Sequence, residues 1–118
     1  MGEGTRIAMV VPNLFLRIPV EAAVLSAGFS ALSFADAQQA ERSGCEVVIA
    51  DLEALGGDPA GAVRGLVGGG RTVLAFGPHV QGEMLAAARA AGAVVLPRSV
   101  FLTRLPELLA AAVGRSAT

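Results

Sequence analysis

Tryptophan, tyrosine and lysine are absent from this 118-residue sequence, and cysteine and histidine occur once each. Each gap removes a class of function. Without Trp or Tyr, and with nine basic residues, all arginine, scattered along a chain of net charge −1, there is neither a base-stacking platform nor a clustered basic face. No nucleic-acid partner is expected. The single cysteine, Cys45, admits no internal disulfide and no thiolate metal site, and its place at the head of an apolar run reads as a small core residue. His79 lacks the company a zinc site needs, so no metal or other cofactor is expected. The composition is 53% hydrophobic, yet Arg6, Arg17, Glu21 and Asp36 interrupt the first third, and no apolar stretch approaches the ~20 residues of a membrane span. The start Met1-Gly2-Glu3-Gly4 has neither the charged nor the apolar region of a signal peptide. A cytoplasmic protein with no membrane partner is expected.

What is present is a series of short apolar runs cut by glycine and proline. The stretch Cys45-Glu46-Val47-Val48-Ile49-Ala50-Asp51 is apolar and rich in β-branched residues, as in a strand buried on both faces of a parallel sheet. It ends on a carboxylate, and the carboxyl edge of such a sheet is where ligands and chemistry are placed. At a strand end, Asp51 is expected to be only partly buried. Residues 6–11 form the first strand, stopped by Pro12-Asn13. A helix runs from Leu14 to a Gly28 cap with Pro19 near its start. The alternating run 29–34 reads as an edge strand, and Asp36 opens a short helix closed by Gly44. Residues 52–57 read as a flexible loop in which Glu53 faces solvent. Asp58-Pro59 starts a helix that ends on Gly68-Gly69-Gly70, a triple glycine that follows a helix and precedes a strand, the reverse of a phosphate loop. Strand 71–76 is broken by Gly77-Pro78, a helix spans 79–91, and strand 93–96 is stopped by Pro97. The last helix is expected from Phe101 or Leu102 to Val113, because Pro106 is tolerated only in a first turn, with a frayed polar end at 114–118. Phe15, Phe29, Phe34 and Phe76 read as packing residues.

Strands alternating with helices specify an α/β fold. The expected architecture is a three-layer αβα doubly wound five-stranded parallel sheet of order 2-1-3-4-5. One domain, residues 1–118 with a core of about 5–113, accounts for the chain.

With this order of elements the chain resembles the receiver domains of bacterial two-component response regulators over nearly its whole length. Glu46-Val47-Val48-Ile49-Ala50-Asp51-Leu52 is similar to the family's third strand, and Ala91-Gly92-Ala93 to the end of its fourth helix. The resemblance implies a phosphoacceptor position at Asp51. The acidic pair that holds Mg²⁺ in the family falls on Pro12 and Asn13, the hydroxyl position on Gly77 and the lysine position on Ser99, with Arg98 beside it and Phe101 matching an aromatic. Asn13 offers a metal an oxygen without charge, so Asp51 and Asn13 are weak metal candidates and Mg²⁺ is not expected. This pattern is similar to the degenerate or pseudo-receiver branch, where metal-dependent phosphorylation is lost or altered. It implies a stand-alone, non-enzymatic signalling module of a two-component or phosphorelay-type system, acting on protein partners. Asp51 itself has two open readings, a phosphoacceptor or a structural carboxylate that caps the next loop or pairs with Arg98.

A second function class remains. The crevice formed by Pro12-Asn13, Asp51, Gly77-Pro78-His79 and Pro97-Arg98-Ser99 suits a small ligand or a small enzyme, with His79 at a helix start as its base. For output, the apolar residues of the last strand and helix exceed what one sheet face needs. Leu105, Leu108 and Leu109 are expected on the sheet, leaving Val100, Phe101 and Leu102 at the rim. The resemblance points to the same face of helix four, strand five and helix five. A homodimer or partner contact is therefore expected there through Arg89, Val100, Phe101 and Arg104.

Overall fold

The computed structural model describes residues 5–117. The segment 1–4, read above for signal-peptide features, and residue 118 lie outside the described residues. Five strands, β1 (Arg6–Val10), β2 (Ser30–Ser33), β3 (Val47–Asp51), β4 (Thr72–Gly77) and β5 (Val94–Pro97), pair in parallel in the order β2-β1-β3-β4-β5. Five helices connect and follow them: α1 (Leu14–Ser26), α2 (Ala37–Arg42), α3 (Pro59–Gly68), α4 (Gly82–Ala90) and α5 (Arg98–Ala117). This is the three-layer, doubly wound sheet that the sequence pattern specifies.

Side chains alternate across a strand, and the two cores follow from that alternation. Ile7, Met9, Val47, Ile49, Leu74 and Phe76 face α1 and α5, whose Val20, Val24, Phe101, Leu105 and Leu109 complete one core. Ala8, Val10, Val48, Ala50, Val73 and Ala75 face α2, α3 and α4 and make the other, which also takes in Cys45. β3 is buried at every position, which explains its continuous apolar run.

Three helix starts follow side-chain caps. Asn13 accepts from the Phe15 N–H, Asp36 from Gln39 and Asp58 from Gly61. Because Asn13 starts α1, Pro19 stands in the second turn, where its ring nitrogen leaves the Phe15 carbonyl without a helical donor. The segment after β3 is not a plain loop. It makes a 3₁₀ turn over Leu52–Ala54 capped by Asp51.

Two boundaries differ with consequences. α4 begins at Gly82, so His79 lies in the turn before it, exposed, and does not stand at a helix start. α5 begins at Arg98, directly after β5, with Pro106 well inside it. Both Pro106 and Leu102, whose carbonyl loses its donor, are on the exposed side, where water can replace the missing bond. The early start carries Phe101 into the core. It is 1% exposed and stacks on Phe76 with ring centroids 4.9 Å apart and planes at 46°. The expected rim contact at Phe101 is thereby overturned. Phe15 is the opposite correction: placed among packing residues by its sequence, it is 86% exposed.

Candidate functional site at the carboxyl edge of the sheet

Register sets the site. Asp51 pairs with Phe76, and Gly77 with Pro97, so the ends of β3, β4 and β5 lie side by side, with the β1 exit at Pro12-Asn13 on the other side of β3. Alternation along β3 turns Asp51 to the α1 and α5 face together with Ile49. It is 5% exposed, the one charged residue among the described residues that is buried, where only partial burial was expected. Its Oδ1 accepts the Glu53 N–H at 3.1 Å and so caps the 3₁₀ turn. Burial pushes the Asp51 carboxyl above its ordinary value, against the opposing pull of the Glu53 N–H and the Arg98 guanidinium.

Arg98 does not pair with Asp51. Its Nη2 donates to Glu53 Oε1 at 2.7 Å, so the guanidinium bridges the start of α5 and the turn after β3. Glu53 is exposed, as expected, and is held there in an ion pair. The pair is half exposed and contributes only about 0–1 kcal/mol. Arg98 Nε is buried with no partner among the described residues. The expected alternative of an Asp51–Arg98 pair is replaced by Asp51 capping its own turn while Arg98 and Glu53 close beside it.

The other predicted positions separate into those with structural tasks and those on the rim. Asn13 is exposed, and its Oδ1 is committed to the Phe15 N–H at 2.9 Å. Pro12 is exposed and has no side-chain donor atom. Gly77 is buried, and a Cβ placed on it would lie 3.1 Å from Leu85 Cδ2, so a hydroxyl-bearing residue fits there only if Leu85 shifts. Ser99 and His79 are exposed, and neither shares a hydrogen bond with Asp51 among the described residues. Arg89 donates to the Val95 carbonyl at 3.1 Å, and Arg104 to Glu107 one turn away at 2.7 Å, so both expected interface arginines have partners within the chain. The Arg98–Glu53 bridge escaped sequence reasoning. Its only signal was two opposite charges just beyond the ends of strands two places apart in the sheet order.

Solved structures give the comparison. A response regulator from Thermotoga maritima superposes with a TM-score of 0.76 at 18% identity, covering 92% of this chain and 97% of that one. A response regulator receiver domain protein from Clostridium thermocellum gives 0.79 at 15%, covering 96% and 97%. The response regulator ChrA of a heme-sensing two-component system gives 0.75 at 22%, covering 95% of this chain and 57% of that one. The fold is that of a receiver domain. No family model and no curated protein matches the sequence.

The receiver resemblance implies Mg²⁺ beside the phosphoacceptor, and the donors of this chain do not fit it. A hard divalent cation needs several oxygen ligands with negative charge among them. Here the receiver-fold positions supply a proline, an amide oxygen spent on a helix cap, and one buried carboxylate with an oxygen already accepting. Among the described residues no group of three or more His, Cys, Asp or Glu is placed to hold a metal ion, and no helix is long and apolar enough to cross a membrane.

The buried carboxylate of this receiver fold has a pH signature. Since the folded state holds the Asp51 proton more tightly than the unfolded chain, stability falls as pH rises from the ordinary carboxylate value of about 3.9 through the raised folded value. Asp51→Asn keeps the oxygen that caps the turn and removes the charge. It is expected to flatten that part of the pH profile and to change stability at pH 7 by no more than about 1 kcal/mol, toward stabilisation. Urea unfolding of both proteins between pH 4 and 8 checks this. A loss of several kcal/mol at pH 7 would show the carboxylate to be held by a stabilising network.

Proposed function

We propose that this chain is a signalling module of a two-component or phosphorelay type that works by protein–protein contact and has lost the divalent-cation route to phosphorylation at Asp51. The receiver fold shared with proteins named response regulators supports the signalling class. The observation that carries the loss is the double commitment at the site: the only side-chain oxygen of Asn13 caps α1, and Asp51 is buried, capping the turn after β3. The face of α4, β5 and α5, with Val100 39% exposed and Arg104 on the surface, is the route we assign to a heterologous protein partner. Arg89 serves there by fixing the end of α4 to the β5 backbone.

Incubation with acetyl phosphate, with and without MgCl₂, followed by intact-mass measurement tests the reading. The expected spectrum has no Mg²⁺-dependent phosphoryl adduct, and isothermal titration is expected to show no Mg²⁺ binding below millimolar concentration. An adduct that requires Mg²⁺ and disappears in Asp51→Asn would overturn it.

A further inference from the structure

Four of the seven large hydrophobic side chains exposed among the described residues lie on the outer side of α1. Phe15 is 86% exposed, Ile18 58%, Leu25 54% and Leu14 51%. Leu14, Ile18, Ala22 and Leu25 recur at i, i+4, i+8 and i+11, a single helical stripe on the side opposite the buried Val20 and Val24. Leu102 of α5, 40% exposed, borders a shallow cleft with Leu16 and carries the apolar surface onto the neighbouring helix. The exposed parts of these side chains amount to on the order of 500 Å² per copy. That compares with the roughly 800 Å² each partner gives to a standard interface, and lies within the roughly 300–600 Å² of the largest patch on an ordinary monomer, a patch often functional.

Charge decides the occupant. Arg17 and Glu21, four residues apart, flank the stripe on one side, half-buried, and neither makes a side-chain ion pair or hydrogen bond among the described residues. If two copies of α1 pack antiparallel about a two-fold axis, the point midway between residues 14 and 25 falls within one residue of the point midway between 17 and 21. One register therefore sets Leu14 against the partner's Leu25 and Arg17 against the partner's Glu21, twice by symmetry. A patch complementary to itself in both shape sequence and charge is the mark of an isologous contact.

We infer that this protein forms a symmetric dimer through α1, with a second copy of the chain covering Leu14, Phe15, Ile18 and Leu25. This surface meets α5 only at Leu102 and includes neither Val100 nor Arg104 of the face assigned above to a heterologous partner. Sedimentation velocity of the full chain over a concentration series tests it. A concentration-dependent dimer is expected, and Phe15→Asp, at a position exposed enough to leave the circular dichroism spectrum unchanged, is expected to give monomer. Arg17→Glu and Glu21→Arg are each expected to weaken the dimer about tenfold or more, by setting like charges opposite one another, and the double substitution to restore it to within about threefold. Val100→Asp is expected to leave it intact. A parent monomeric at several hundred micromolar would overturn the inference and leave a heterologous helical partner as the occupant. So would a dimer that survives Phe15→Asp, fails to respond to the charge exchange, or is lost in Val100→Asp.

Discussion

Phe101→Asp is expected to abolish cooperative folding, with loss of the thermal transition and of near-native circular dichroism at every protein concentration. The side chain is 1% exposed and lies on Phe76 between α5 and the sheet. An aspartate there brings a charge with no partner into an apolar core, and removes the stacked ring as well. The milder Phe101→Ala isolates the packing contribution. Truncating a fully buried phenylalanine costs about 3–5 kcal/mol, a large fraction of the 5–15 kcal/mol that holds an ordinary domain. Val100→Asp, one residue earlier and 39% exposed, is expected to change stability by less than about 1 kcal/mol. Guanidinium unfolding of the three variants separates a core position from a rim one. A fully stable, folded Phe101→Asp protein would place the ring outside the core.

The same residue shows how far the sequence could be read. Phe101, Leu105, Leu109 and Ala112 recur at i, i+4, i+8 and i+11, and all four are buried. That stripe was visible. It was outvoted by Pro106, which the rule against interior proline pushed into a first turn, and that in turn left Phe101 at a boundary. The rule concerns a lost hydrogen bond and a ring clash, and on the solvent side of a helix packed by its other face the cost is small enough to be met. Phe15 was misplaced for a related reason: Leu16, Val20 and Val24 define the inward side of α1, and Phe15, one residue before Leu16, falls outside it. β3, by contrast, was legible because burial on both faces writes itself as a continuous apolar run. Asp51 was legible as a position but not in its surroundings. Its neighbour across the sheet is Phe76, set by strand register, and the Arg98–Glu53 bridge spans forty-five residues and the geometry of a 3₁₀ turn.

Gly92→Ala is expected to destabilise the fold by about 2–4 kcal/mol, the second large effect of a single substitution. Two causes add. Gly92 links α4 to β5 with φ at +112°, a left-handed conformation that costs an L side chain roughly 1–2 kcal/mol. A Cβ there would also lie 2.9 Å from Val67 Cγ1. Val67 is half-buried on α3, and a β-branched side chain in a helix has one strongly preferred rotamer, so it cannot turn aside freely. Relief must come from separating α3 and α4, which pack over the same core as Leu66 and Ala88. Gly65→Ala supplies the contrast within α3: nothing lies within 4 Å of its Cβ position, its backbone is helical, and the exchange is expected to stabilise by about 0.5–1 kcal/mol. The double variant Gly92→Ala/Val67→Ala relieves the overlap but not the backbone strain. Compared with Val67→Ala alone it is expected to lose only the roughly 1–2 kcal/mol of the left-handed conformation. Equilibrium urea unfolding of the four proteins closes this cycle. A Gly92→Ala penalty that stays the same whether residue 67 is valine or alanine would show that Val67 does not constrain the turn.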